Sequence, residues 1–186
     1  MDIKKQILEA TIEVFHKKGI KFTMDDLARA LGMSKKTIYT VFKDKNELFL
    51  SMVDYLFDAI KASENEIIQN EELSTLDKIQ AILCVLPDGY KDLDFGQLYI
   101  LKDKYPQIYK KVEKRLENGW ENTIMLLEKG KAEGVIREVN IPIVKMMLEA
   151  SLEQFFQRDI LKRNKITYQK ALNEVVEILM TGIIRK

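Results

Sequence analysis

The segment between residues 23 and 48 constrains the fold of this chain more than any other part of the sequence. Thr23 can cap a helix, with Asp26 three residues later, as in a capping box. An apolar stripe follows, and Gly32 then suits the left-handed residue that ends a helix. Ser34 can cap a second helix directly afterwards. The pattern predicts a helix-turn-helix, a motif whose second helix enters the major groove of DNA.

The outward face of that second helix predicts a nucleic-acid contact. If Ile38 faces inward, helical periodicity places four polar side chains on the opposite side: Lys36, Tyr39, Thr40 and Lys43. Two more lie on its flanks, Lys35 and Thr37. Lysines bind phosphates or guanine edges, threonine methyls contact thymine, and a tyrosine hydroxyl binds phosphate. A solvated surface helix also carries lysines, but an exposed tyrosine between them is less typical of one.

The same residues resemble the DNA-binding domain of the TetR (tetracycline repressor) family of bacterial transcriptional regulators. That family has a Thr before the second helix, an Ile/Leu-Ala pair, and then Gly-x-Ser-x-x-Thr-Leu/Ile-Tyr-x-x-Phe-x-x-Lys-x-x-Leu. The matching positions are Thr23, Leu27, Ala28, Gly32, Ser34, Thr37, Ile38, Tyr39, Phe42, Lys45 and Leu48. Lys36 and Val41 depart from the pattern, because many members have Gly or Pro at the first and His or Tyr at the second. The operator of a relative therefore does not carry over.

The resemblance implies two sets of site residues. It gives Lys45 the role of a lysine that contacts the DNA backbone, which completes the predicted DNA-binding set: Thr23, Lys35, Lys36, Thr37, Tyr39, Thr40, Lys43 and Lys45. It also implies an effector pocket in a second, helical domain, for which the sequence offers loose candidates: Phe95, Tyr99, Trp120, Ile124, Met147, Ser151, Gln154 and Phe155. Aromatic residues and methionines at helical spacing also form ordinary cores, and the chemical class of the ligand does not follow.

Helical periodicity continues through the rest of the chain and predicts an all-α protein. Residues 1–47 form the predicted three-helix DNA-binding domain, and residues 48–186 form the predicted helical effector-binding and dimerisation domain. The third helix, capped by Asp44, continues to about Asn70 and so connects the two. The later helices are predicted at 74–87, 94–105, 106–133, 141–163 and 167–185, with Ser74, Asn140 and Thr167 as N-caps.

The last two helices are predicted to pair two subunits. Their apolar faces comprise Val144, Met147, Leu148, Ser151, Leu152, Phe155 and Phe156 in the first, and Leu172, Val175, Val176, Leu179, Gly182 and Ile183 in the last. Packing inside a monomer is the alternative explanation of such stripes. Because one helix-turn-helix reads only a half-site, DNA geometry favours a homodimer on a palindromic or pseudo-palindromic operator.

Charge and composition agree with this interpretation. The net charge is only +1, but residues 1–47 hold ten Lys and Arg against seven Asp and Glu, so the basic excess surrounds the predicted recognition helix. The single cysteine, Cys84, fits a reducing compartment, and neither a signal peptide nor a transmembrane stretch is evident. A cytoplasmic protein without a membrane contact is therefore expected. One histidine, His16, and one cysteine cannot form an ordinary zinc site, and no cofactor motif or catalytic arrangement stands out.

The sequence thus predicts a transcriptional regulator, in the form of a repressor that a small-molecule effector releases from its operator through the third helix. Two alternatives stay open. The helical domain could bind a protein partner and no small molecule, or the chain could be an all-helical enzyme with an incidental helix-turn-helix.

Overall fold

The chain folds into α-helices, several of which begin at N-caps that the sequence predicts. The computed structural model describes residues 2–87, 90, 96–157 and 160–185, without the side chains of residues 97–99, 156 and 157. The first four helices are α1 (Ile3–Lys18), α2 (Met24–Leu31), α3 (Lys35–Tyr39) and α4 (Lys45–Gln69), with a 3-10 turn at Gly19–Lys21 between α1 and α2. The backbone N–H of Glu47 donates to the carboxylate of Asp44 at 2.8 Å, which confirms the predicted cap of α4.

Seven more helices follow in the described residues. They are α5 (Thr75–Leu83), α6 (Gly96–Lys104), α7 (Pro106–Glu117), α8 (Glu121–Ala132), α9 (Ile141–Gln157), α10 (Ile160–Arg163) and α11 (Tyr168–Ile183). Ser74, Asn140 and Thr167 accept hydrogen bonds from backbone N–H groups of the helices that follow them, as predicted. The α5 helix ends at Leu83, four residues before the predicted end at residue 87. Pro87 disfavours helical backbone at residue 86, so the helix could not reach the predicted end.

The predicted single helix at 106–133 is wrong. It is interrupted between α7 and α8, where Gly119 has a φ of 91°, a value that strains any side-chain-bearing residue. The carbonyl groups at the end of α7 find other donors, as Trp120 Nε1 donates to Leu116 at 2.9 Å and Lys145 Nζ to Glu117 at 3.1 Å. Trp120 therefore lies at the start of α8, not in the middle of a long helix.

The chain divides into two compact units. The first comprises Met1–Asp58 with Gln97–Lys114, and the second comprises Ala59–Gly96 with Arg115–Lys186. The α4 helix contributes residues to both. The predicted division after residue 47 concerns function and stays a prediction. In the first unit α1 packs against α2, and α2 against α3. The core includes Phe22, Leu27, Ile38 and Phe49, each at most 1% exposed.

The core of the second unit holds most of the stripe that was assigned to the dimer interface. Here α5 packs against α8, and α11 against α9 and α5. On α11, Leu172, Val176, Leu179 and Ile183 are buried within the subunit, with Val176 at 0% exposure. On α9, Val144 and Leu148 belong to the same core. The prediction that these residues face a second subunit is therefore wrong, because their apolar face is covered by neighbouring helices of their own chain.

Burial raises the pKa of the Cys84 thiol to about 11, so this thiol is a structural residue beside the core of the second unit.

Among the described residues, no helix has the length and apolar character that a membrane span requires.

Candidate DNA-binding site

A capping box fixes the start of α2. Thr23 Oγ1 accepts from the backbone N–H of Asp26 at 3.1 Å, and the Asp26 carboxylate accepts from the backbone N–H of Thr23 at 2.9 Å. Lys18, at the end of α1, donates to the other oxygen of Asp26 at 2.6 Å. The hydrogen bond from Lys18 and those from Thr23 hold the pKa of Asp26 well below its usual range. The contribution of Thr23 to the candidate site is therefore, above all, to cap the N-terminus of α2.

The turn between α2 and α3 is as tight as predicted. Gly32 has a φ of 62° and a ψ of 26°, the left-handed conformation of a helix C-cap, and its N–H donates to Ala28 and Arg29. Ser34 then caps α3, with Oγ accepting from the backbone N–H of Thr37 at 3.1 Å. Fixed in this way, α2 and α3 form a helix-turn-helix in which the orientation of the second helix depends on the backbone and not on a flexible linker.

The two faces of α3 differ as the sequence predicts. Ile38 is fully buried, whereas Lys36 and Tyr39, two predicted groove-facing residues of this helix, are exposed. The predicted helical position of Lys43 is wrong, because α3 ends at Tyr39 with Thr40 as its C-cap, although Thr40 and Lys43 are both exposed. The Tyr39 side chain is 46% exposed. Thr37 is half-buried, and its hydroxyl lies 2.9 Å from that of Ser34. Thr40 donates to the carbonyl of Thr37 at 2.6 Å. The exposed face combines cations, a hydroxyl and a phenol, which can bind phosphates and base edges.

The four lysines of the predicted site have different surroundings. Lys36 and Lys43 form no ion pair within the described part of the chain, so their charges face solvent. Lys35 pairs with Asp25 at 3.0 Å. Lys45 turns inward and donates to the carbonyl groups of Ile20 and Phe22. A phosphate contact by Lys45 was predicted from family resemblance, and its ammonium is engaged elsewhere in this structure.

Sequence reasoning missed the acidic partners of these lysines. Asp26 was predicted only as the partner of Thr23 in a capping box, and no role was predicted for Asp25. Their ion pairs with Lys35 and Lys18 span ten and eight residues along the chain. Two adjacent acids next to a predicted recognition helix were the available signal, because they lower the local positive charge that DNA binding needs.

Six of the predicted effector residues lie on or directly beside α8 and α9 of the second unit, whereas Tyr99 belongs to α6, in the first unit. Trp120 and Ile124 lie one turn apart on α8, and the Trp120 ring packs against the core of that unit. Met147 is 50% exposed on α9, where the Ser151 hydroxyl donates to its carbonyl group at 2.9 Å. Gln154 is exposed, and Phe155 makes an edge contact with Tyr168. Phe95 and the Tyr99 side chain lie outside the described residues.

A buried polar cluster in the second unit was not predicted. Glu64 on α4 is only 7% exposed and accepts from Lys61 Nζ at 2.6 Å and from Asn122 Nδ2 at 3.1 Å. Lys61 also donates to the carbonyl of Gly119, at the interruption between α7 and α8. The spacing of Lys61 and Glu64, one turn apart on a helix, was the only signal in the sequence.

Comparison with known proteins agrees with this geometry. Residues 7–52 match the family model for bacterial regulatory proteins of the tetR family. The chain is 31% identical over 179 residues to YvaF, an HTH-type transcriptional regulator of Bacillus subtilis, covering 96% of this chain and 94% of YvaF.

Solved structures share the fold at lower identity. FadR of Bacillus subtilis, a transcriptional regulator crystallised with stearoyl-CoA, has a TM-score of 0.66 at 20% identity, covering 96% of this chain and 98% of FadR. NemR of E. coli, in its reduced form, has a TM-score of 0.75 at 13% identity, covering 98% of this chain and 97% of NemR. With a family match over the helix-turn-helix and a regulator similar along nearly its whole length, this chain belongs to the TetR family of DNA-binding transcriptional regulators.

Proposed function

We propose that this regulator is a cytoplasmic repressor, which binds a palindromic or pseudo-palindromic operator as a homodimer and leaves it when a small-molecule effector binds. The observation that carries the proposal is the exposed face of α3. Lys36, Tyr39 and Thr40 lie on this outer face, and Ile38 is buried on the opposite side of the helix. In this arrangement α3 reads base edges in the major groove, and Lys35 and Lys43 bind flanking phosphates.

Apolar side chains exposed on the last long helices support the homodimer. Ile143, Met146 and Met147 share one face of α9 and are each about half exposed, and Ile178 on α11 is 73% exposed. Groups of exposed apolar side chains are typical of protein–protein contacts. We assign the subunit interface to these four residues in place of the buried stripe. A two-fold interface then presents one α3 helix to each half-site.

The effector is proposed to bind among residues of α8 and α9 in the second unit. Trp120, Ile124 and Phe155 supply apolar and aromatic surface, and Ser151 and Gln154 supply polar groups, whereas Met147 is assigned to the subunit interface. This combination suits a largely apolar molecule with one polar end. FadR, which has the same fold, was crystallised with stearoyl-CoA, so this acyl thioester is a reasonable first probe.

Binding of purified protein to the DNA upstream of its own gene tests the proposal. Anisotropy of a labelled duplex should show two chains or a multiple of two per operator, with at least about 10³-fold preference over a scrambled duplex. Lys36→Ala should weaken binding, whereas Lys170→Ala, which removes an exposed lysine of α11, should not. Equal affinity for the scrambled duplex would overturn operator recognition.

The second part of the test adds stearoyl-CoA to the preformed complex of the protein with its operator DNA. Dissociation at a concentration that also raises the melting temperature of the free protein would support a bound acyl ligand. If stearoyl-CoA has neither effect, it is not the effector, and a panel of other small molecules takes its place. Operator binding that no member of the panel weakens would overturn small-molecule control in favour of a protein partner.

A further inference from the structure

The ammonium group of Lys45 is held inside the DNA-binding unit. Lys45 is the first residue of α4, and its Nζ donates to the carbonyl of Ile20 at 3.1 Å and to the carbonyl of Phe22. Both carbonyls belong to the turn between α1 and α2. The residue after Phe22 is Thr23, the N-cap of α2, so this lysine is bonded to the segment that sets where α2 begins.

Two aromatic rings complete the environment of this ammonium. Nζ lies 4.1 Å from the centroid of the Phe22 ring and 5.3 Å from that of Phe49, distances at which a cation is attracted to a ring face. The two rings touch edge to face, with centroids 5.4 Å apart, and Phe15 of α1 contacts Phe49 in the same manner at 5.7 Å. The lysine therefore joins α4 to a ring cluster that includes both sides of the α1–α2 turn.

Partial burial lowers the pKa of Lys45 from its ordinary value, with Lys104 adding to the effect and Asp26 opposing it. Two of the three N–H donors of this ammonium are taken by carbonyl oxygens, and two ring faces lie beside it, so a full contact with a DNA phosphate would require some of these interactions to be given up. Lys36 and Lys43 need no such rearrangement, because their side chains are already exposed.

We infer that Lys45 is a positioning residue for DNA recognition and not a phosphate ligand: its ammonium holds the α1–α2 turn against the start of α4. The α2–α3 connection is already rigid, because Gly32 and Ser34 fix it. Holding the α1–α2 turn therefore fixes the orientation of the whole helix-turn-helix. Specific binding depends on that orientation, whereas non-specific attraction to phosphates does not. The inference rests on DNA binding by α3.

Salt dependence distinguishes the two roles. Lys45→Met keeps the side-chain length and removes the charge, and Lys43→Met is the matched control for an exposed lysine. The affinity of both variants is measured for the upstream duplex that the wild type binds and for a scrambled duplex. The measurements cover a series of salt concentrations, at a temperature at which circular dichroism shows folded protein.

Lys45→Met should lose about tenfold in affinity for the upstream duplex, the size expected for hydrogen bonds to a charged group. The slope of log affinity against log salt concentration should not change, and neither should the affinity for the scrambled duplex. Lys43→Met should reduce the slope by about 0.9 on both duplexes. Lys45→Arg, which keeps a charged donor, should restore part of the specific affinity.

A second measurement needs no variant. Acetylation of the wild-type protein by a water-soluble amine reagent, read by mass spectrometry, should modify Lys36 and Lys43 readily and Lys45 slowly. Adding the duplex should protect Lys36 and Lys43 and leave the rate at Lys45 unchanged. Protection of Lys45 by DNA, or a slope reduced by about 0.9 in Lys45→Met, would overturn the inference. Failure of the wild-type protein to bind any duplex would instead overturn the proposed function, and acetylation of the free protein would still test the position of Lys45.

Discussion

Lys35 of the recognition helix and Asp25 of α2 form an ion pair, with Nζ 3.0 Å from one carboxylate oxygen and 3.1 Å from the other. If Lys35 binds a DNA phosphate, as proposed, that phosphate must compete with the Asp25 carboxylate for the lysine. On the proposed function, Asp25 therefore opposes DNA binding, and Lys35 would exchange its partner when α3 enters the groove.

Asp25→Asn should strengthen DNA binding, since it removes a negative charge from the neighbourhood of Lys35. Exposed ion pairs contribute up to about 1 kcal/mol, so the gain should not exceed about fivefold. Anisotropy at fixed salt measures it. Glu128→Gln is the control for the change in charge, because it removes one negative charge beside Lys131 in the second unit, where Glu138 also pairs with that lysine. An affinity equal to or below that of the wild type in Asp25→Asn would contradict the partner exchange.

Lys36→Ala should alter base preference as well as affinity. Its side chain is exposed on the outward face of α3, and one good base contact contributes about 1–3 kcal/mol of discrimination. Selection from randomised duplexes with the wild type and the variant compares their preferred sequences. The same preferred sequence in both would make Lys36 a phosphate contact only.

Two substitutions on α11 distinguish a residue of the proposed subunit interface from a residue of the core. Ile178→Glu places a charge at a position that is 73% exposed, so the variant should become monomeric while it keeps its helical content. Val176→Glu buries an unpaired charge at a position with 0% exposure and should cost about 4 kcal/mol or more in stability. Sedimentation velocity and circular dichroism distinguish the outcomes. If Ile178→Glu stays dimeric, the interface lies elsewhere.

Gly32→Ala should lower the stability of the helix-turn-helix by about 1–2 kcal/mol, the cost of a left-handed backbone for a residue with a Cβ. No atom lies within 4 Å of a Cβ at this position, so the loss comes from conformation and not from a clash. Gly32→Asn should lose less, because asparagine adopts this conformation more readily. Urea unfolding measures both, and equal losses would point to a contact other than backbone strain.

Acid should weaken the capping box. Lys18 and Thr23 hold the pKa of Asp26 below its ordinary value, so this carboxylate stabilises the fold fully above the pKa of the unfolded chain, about 3.9. That contribution is lost as the pH falls below about 4 towards the lower folded-state pKa. The difference in urea midpoint between wild type and Asp26→Asn should therefore be larger at pH 6 than at pH 3. If the urea midpoints of the two proteins changed in parallel with pH, the lowered pKa of Asp26 would have no effect on stability.

Local signals predicted the helix-turn-helix well. Thr23, Gly32 and Ser34 act within three or four residues of their own positions, so their chemistry can be read directly from the sequence. The buried side of α3 at Ile38 follows from periodicity alone. These features explain why the helix-turn-helix was predicted in detail, down to the left-handed glycine.

Features that depend on distant residues were not predicted. Lys45 bonds carbonyl groups 23 and 25 residues earlier, and no local pattern reveals that contact. On α11, periodicity placed Val176 on the apolar stripe and Ile178 outside it, but only the neighbouring helices decide whether that stripe faces the core of its own subunit or a second subunit. The interruption at Gly119 had a local signal that was overlooked, because Asn118-Gly119 is a dipeptide that marks turns.

The DNA-binding unit is discontinuous along the chain, and this affects how the unit can fold during its synthesis. The Tyr105 ring lies 5.4 Å from that of Phe49, and Lys111 pairs with Asp54, so Gln97–Lys114 completes a unit begun by the first 58 residues. During synthesis, the helix-turn-helix would leave the ribosome roughly 3–10 s before this last segment is available. The nascent chain would therefore lack part of the packing around Phe49, and a fragment that ends near residue 58 would be a poor substitute for the full protein in DNA-binding experiments.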